Sequence, residues 1–193
     1  MTKLYLVRHA RPAAGWGEDP DPGLDPAGEA QAQAAAATLA AALVPLPILT
    51  SPLRRCRETA LPLAQRWGAA ARVFPPVAEL PAPPLDLPSR QRWLHDAMHG
   101  TWQALNDGAP PGAPDYLDWR RMLLDALASV AQESVVCSHF IAINAVVGAA
   151  LGRDDVVVFR PDHASITCVD VTQGRIRVVD LGRQSDTTVL ARR

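Results

Sequence analysis

The sequence predicts a three-layer α/β fold: a mainly parallel central sheet with one antiparallel strand, and helices on both faces. Three observations carry this. The apolar runs Leu4-Tyr5-Leu6-Val7, Ile48-Leu49-Thr50 and Val135-Val136-Cys137 are short enough and continuous enough to be buried strands. Each is followed, at varying distance, by a segment of helical composition, so strands and helices alternate. Residues 164–171 and 175–181, joined by Thr172-Gln173-Gly174, have the pattern of a closing β-hairpin. At 193 residues the chain can bury one sizeable core and is expected to be a single domain over 1–193.

Taken in order, residues 3–8 form the first expected strand, followed by a loop rich in Gly, Pro and Asp that runs to Leu24. Asp25-Pro26-Ala27 reads as an N-cap with proline at the first helical position. It opens an alanine-rich helix to about Val44, dense in small side chains and able to lie close on the sheet. Pro45 and Pro47 stop it. After the strand Ile48 to Thr50, Ser51-Pro52 is expected to cap a helix running to about Trp67 and kinked at Pro62, which lacks a backbone donor. Arg72 to Phe74 can make a third strand. Six prolines between Pro75 and Pro88 are expected to hold that stretch extended and irregular. Helices over Ser89 to about Met98 and Asp115 to about Val130 flank the Gly/Pro segment Asn106 to Pro114. Trp93, His95, His99 and Trp102 recur at roughly helical spacing and are read as the packing of a cap helix. A final helix is expected from Phe140 to Leu151.

Composition narrows the function classes. With 19 Lys and Arg against 20 Asp and Glu, the formal net charge is -1, so no general polyanion surface is expected and any positive potential must be local. No nucleic-acid or membrane partner is expected, since no apolar run approaches the roughly 18 residues of a membrane span. Cys56, Cys137 and Cys168 are an odd number with no CxxC spacing. They read as small core hydrophobes in a reducing, cytoplasmic setting.

The chemistry gathers at strand ends. Arg8-His9 follows the first apolar run, Arg54-Arg55 follows the second, and Ser138-His139 follows the third. In open α/β sheets, ligands sit at the carboxyl edge of the strands, so these groups are expected to meet there. Arg8 and Arg55 supply planar forks suited to phosphate oxygens, and Arg55 adds the favourable N-terminal turn of its helix. His139 can add a third donor. His9 is the candidate nucleophile, because an unprotonated imidazole is available near neutral pH, with a nearby loop carbonyl expected to fix its ring. Neither a Walker A glycine loop nor a G-x-S-x-G elbow is present.

These segments resemble the histidine phosphatase superfamily, the phosphoglycerate mutase-like group, over nearly the full length. Arg8-His9-Ala10 is similar to its Arg-His-Gly, and residues 24–32 to its Leu-Thr-x-x-Gly-x-x-Gln-Ala. Residues 51–60 are similar to its Ser-Pro-Leu-x-Arg-x-x-x-Thr-Ala, Ser138-His139 to its second histidine, and Ala164-Ser165-Ile166 to the strand that follows. The resemblance implies that His9 is transiently phosphorylated while Arg8, Arg55 and His139 bind the phosphoryl group. It also implies a carboxylic acid for the leaving oxygen, for which Glu79 holds the matching position, with Asp86 and Asp96 as alternatives.

The function implied is a phosphatase for a phosphomonoester, on a small molecule or a phosphorylated protein, requiring neither metal nor cofactor. Mutase-type phosphoryl transfer, and a catalytically impaired phosphate-binding module, are the rival readings. Three departures mark this chain: Ala10 and Phe140 stand where the family has glycine, and Pro81-Ala82-Pro83-Pro84 replaces a common Gly-x-Trp-Glu-Gly. Arg11 and His163 are secondary candidates at the mouth of the site.

Overall fold

The computed structural model describes residues 1–15 and 19–185; residues 16–18, within the expected loop, and 186–193 lie outside the described residues. Six strands form one sheet, β1 (Thr2–Arg8), β2 (Ile48–Thr50), β3 (Ala71–Val73), β4 (Ser134–Ser138), β5 (Ile166–Thr172) and β6 (Arg175–Asp180). Their spatial order is β3-β2-β4-β1-β5-β6. The pairs β3/β2, β2/β4 and β4/β1 are parallel, and β5 runs against both its neighbours. The helices are α1 (Pro26–Ala42), α2 (Arg54–Trp67), α3 (Leu87–His99), α4 (Trp102–Asp107), α5 (Tyr116–Ala128) and α6 (Phe140–Ala150).

The side-chain alternation of a strand explains the three layers. Leu4, Leu6, Leu49 and Val136 enter one core with Leu123, Leu127 and most of α6. Their neighbours Val7, Ile48, Val135 and Cys137 point the other way, into a second core with Ala36 and Leu39 of α1 and Cys56, Ala60 and Leu63 of α2. All three cysteines are buried and free, as small core residues should be. No helix among the described residues is long and apolar enough to cross a membrane.

Asp25 caps α1 as expected, accepting from the Gly28 amide at 2.7 Å. The helix ends at Ala42 and its alanines let it lie against α2. Gly28 is set by close approach: a Cβ built there would fall 2.1 Å from the Arg11 carbonyl oxygen. Because the clashing atom is backbone, Gly28→Ala is expected to cost about 1–3 kcal/mol, read as a fall of several degrees in Tm. A variant with unchanged Tm would show that the loop before α1 yields freely.

Several boundaries differ from expectation. Ser51-Pro52 does not cap α2. The helix begins at Arg54, whose amide is taken by Asp21 from the distant loop at 2.7 Å, and Ser51 is turned to another use described below. Pro62 lies inside α2, as expected. The proline-rich stretch is not wholly irregular, since Pro75–Val77 makes a 3-10 turn. Asp86 then caps α3 with Pro88 in its first turn, so this proline starts a helix instead of preventing one. Trp102 does not share a helix with Trp93, His95 and His99. It opens α4, which Thr101 caps by accepting from Ala104 N–H. The hairpin's first strand starts at Ile166, because Ala164 sits in the left-handed region at φ 54°.

Candidate active site

β2, β4 and β1 lie side by side and run the same way, so their carboxyl ends share one edge. The register sets Arg8 opposite Ser138 and Thr50 opposite Cys137. The next residues therefore emerge at one level. His9 N–H donates to the Ser138 carbonyl at 2.9 Å, and Ser51 N–H to the Cys137 carbonyl at 3.0 Å, extending the ladder one step past the strands. The rings of His9 and His139 meet edge to face with centroids 5.2 Å apart.

His9 Nδ1 lies 2.9 Å from the Ala10 carbonyl oxygen. A carbonyl only accepts, so the proton is on Nδ1 and Nε2 keeps its lone pair. Burial first, then the neighbouring His139, Arg8 and Arg55, hold the imidazole well below its ordinary pKa, and the ring is unprotonated at neutral pH. Arg8 is almost fully enclosed. Its Nη1 donates to the Pro161 carbonyl at 2.8 Å, Nη2 meets His163 Nε2 at 3.0 Å, and the Phe140 ring centroid is 5.0 Å from Cζ. Burial lowers its pKa to about 10, opposed by Glu79 and Asp162, which leaves it cationic.

Arg55 Nη2 faces His139 Nδ1 at 3.2 Å, and Ser51 Oγ faces His139 Nε2 at 2.7 Å. A guanidinium only donates, so Nδ1 accepts and the proton sits on Nε2, directed to the serine. Cys56 Sγ lies 3.3 Å from the same nitrogen and gives its S–H to the Ser138 carbonyl. Burial and then Arg55 and Arg8 hold His139 unprotonated. Glu79 stands at the start of α6: its carboxylate accepts from Ile141 N–H and Ala142 N–H at 3.3 Å and from Leu80 N–H at 3.0 Å. Burial raises its pKa, against those amides and Arg55. Arg8, His9, Arg55, His139 and Glu79 are thus brought to one strand-end cluster. Asp86 and Asp96 are exposed on α3, where Asp86 serves as the cap.

The model of the histidine phosphatase superfamily, branch 1, matches residues 4–184. This chain belongs to that superfamily. Its fold is similar to that of mycobacterial glucosyl-3-phosphoglycerate phosphatase solved with inorganic phosphate, at 23% identity and TM-score 0.71, covering 97% of this chain and 100% of that one. It is also similar to an Escherichia coli K-12 protein proposed as an alpha-ribazole-5'-P phosphatase, at 16% identity and TM-score 0.74, covering 97% and 98%. A protein of Thermus thermophilus matches at 25% identity and TM-score 0.63, covering 94% and 99%. No curated protein matches the sequence.

As a histidine phosphatase superfamily member, the chain uses its remaining motif residues to frame the site. Thr59 Oγ1 accepts from Ala10 N–H at 2.9 Å and donates to the Arg55 carbonyl at 2.7 Å, tying the loop after β1 to α2. Gln31 accepts from Arg11 N–H, and Glu58 accepts from both Leu24 N–H and Arg54 Nε. Arg11 is paired with Asp25 at 2.6 Å, so its charge is matched. Ala10 needs no glycine, because Ala164 and Gln173 are the non-glycine residues with positive φ among those described. Phe140 contributes a ring to the wall behind Arg8. Sequence reasoning missed Ser51, Cys56, Thr59 and the Pro161 carbonyl as partners of the site.

Two buried histidines and a half-buried one are expected to make this superfamily member acid-sensitive. His9, His139 and His163 all have folded pKa values below the unfolded 6.5, His163 at about 4 through burial and then Arg8. The unfolded chain therefore binds more protons below about pH 6.5, and stability that is complete above that pH is lost as pH falls. Each contributes a slope of up to about 1.4 kcal/mol per pH unit. Glu79, with its raised pKa, works the other way but is one group against three. Urea midpoints measured at pH 7.5 and pH 5 should differ markedly; equal midpoints would contradict neutral histidines at these positions.

Proposed function

We propose that the protein is a phosphatase that hydrolyses a phosphomonoester through a phosphohistidine on His9. The observation that carries this reading is the state of His9: Nδ1–H committed to a carbonyl, Nε2 holding a lone pair, and the ring bordered by Arg8 and His139 with Arg55 behind. The Nε2 lone pair attacks phosphorus, the bond from phosphorus to the ester oxygen breaks, and Glu79 supplies the proton that the leaving oxygen needs. Water then attacks the phosphohistidine, passes a proton to Glu79, and the phosphorus–nitrogen bond breaks to release phosphate. Arg8 and Arg55 counter the charge on the transferred group throughout.

His139 starts unprotonated because burial and two guanidinium groups oppose its charge. A bound dianion offsets the guanidinium part of that opposition, while burial, the larger cause, remains. The solved mycobacterial neighbour holding inorganic phosphate supports a phosphate-sized site on this fold.

The reading is tested by quenching the enzyme in alkali after mixing with labelled phosphomonoester. Label should remain on His9, and free phosphate should appear without any bisphosphate primer. Absence of both would end the reading; transfer only with primer would favour a mutase. Glu79→Gln, which can keep the two amides that Oε1 accepts but not that of Ile141, and cannot cycle a proton, should slow alkyl phosphates by about 10²–10⁴-fold. It should slow p-nitrophenyl phosphate much less, since that leaving group departs as an anion. Equal slowing of both would remove Glu79 from the proton transfer.

A further inference from the structure

We propose that His163 is the positioning residue of Arg8: an uncharged acceptor that, together with the Pro161 carbonyl, fixes the plane in which the guanidinium meets a phosphoryl group. The inference rests on the proposed function only in giving Arg8 an anion to hold. One contact would leave the guanidinium free to pivot, whereas acceptors on both terminal nitrogens, at 2.8 and 3.0 Å, define its plane. Phe140 then closes one face at 5.0 Å. Because every guanidinium N–H donates, His163 Nε2 must be the bare nitrogen, and the ring is uncharged.

That lack of charge is the point of using an imidazole here. A carboxylate in the same place would hold Arg8 more strongly but cancel the field that binds the substrate anion. A neutral acceptor orients the cation and leaves its charge for the ligand. The adjoining carboxylate, Asp162, is turned toward the His163 amide at 2.8 Å and toward Arg183.

The backbone is shaped to deliver this ring. Ala164, at φ 54°, adopts a conformation that costs an L-residue about 1–2 kcal/mol. It is held there by Ala164 N–H donating to the Arg8 carbonyl and Arg8 N–H donating to the Ser165 carbonyl, both at 3.1 Å. Strained residues persist where neighbours over-determine them. Here the strain places His163 both on Arg8 and beside His9, with ring centroids 5.8 Å apart.

The test compares His163→Leu, His163→Gln and His163→Asp in the full chain. Inorganic phosphate binding is measured by calorimetry, and kcat and KM are measured on p-nitrophenyl phosphate. Losing one charge-assisted hydrogen bond should weaken phosphate binding in the leucine variant by about 10- to 100-fold. Glutamine, a neutral acceptor, should recover most of it; aspartate should bind phosphate at least about tenfold more weakly than glutamine. Wild-type affinity in His163→Leu, or glutamine no better than leucine, would overturn the proposal. If leucine prevents folding, the glutamine and aspartate variants still decide it, since equal affinities overturn it. A wild-type protein that binds phosphate yet hydrolyses nothing would sink the phosphatase reading, while the affinity order would still judge His163.

Discussion

His9→Ala is expected to release no phosphate above background from any phosphomonoester and to retain no alkali-stable label. The substitution removes the only atom proposed to bond with phosphorus, and the remaining groups offer no replacement. His139 has both ring nitrogens engaged, by Arg55 and Ser51, and the two arginines remain cations without lone pairs. Loss of a covalent nucleophile should lower kcat by more than about 10⁴-fold. Binding of inorganic phosphate should survive within an order of magnitude, because Arg8 and Arg55 stay in place. Measuring both separates a lost nucleophile from a collapsed site. A variant that turned over at the wild-type rate would eliminate the phosphohistidine.

Arg8→Ala is the second large effect. The guanidinium is anchored on two nitrogens and stacked on a ring, so its alignment is set before substrate arrives. Such preorganised donors contribute most where charge shifts during reaction, and removing one should lower kcat by about 10²–10³-fold. Arg8→Lys should recover little: an ammonium keeps the charge but cannot span the Pro161 carbonyl and His163 while also facing the ligand. Arg55→Ala should fall in the same range, with an added change in the titration of His139, which loses its Nδ1 donor. Activity within about threefold of wild type for Arg8→Ala would mean that the anion sits elsewhere.

What was legible in the sequence was local. Apolar runs ending in Arg8-His9, Thr50-Ser51 and Ser138-His139 announce strands with chemistry at their ends, and the Asp25-Pro26 pair announces a helix start. A similar signal stood in Asp86-Leu87-Pro88, where six clustered prolines masked it; one of them is a helix-starting proline. Ser51 looked like a cap because serine before proline so often is. Its hydroxyl is instead taken by His139, 88 residues away, while Asp21 accepts from the first amide of α2 across the far loop. The anchoring of Arg8 spans 153 and 155 residues and leaves no trace in any local window. Neighbouring residues set the starts of α1 and α3, a distant one that of α2, and partners across the fold decide which way each functional side chain turns.

The position of β1 has a consequence for synthesis. β1, which leads into His9, precedes both its sheet partners, β4 and β5, by more than a hundred residues of chain. Until they arrive, β1 presents two unpaired hydrogen-bonding edges and an apolar surface, the features that invite association with other chains. The strand-end cluster can be complete only once the C-terminal third has paired on either side of β1.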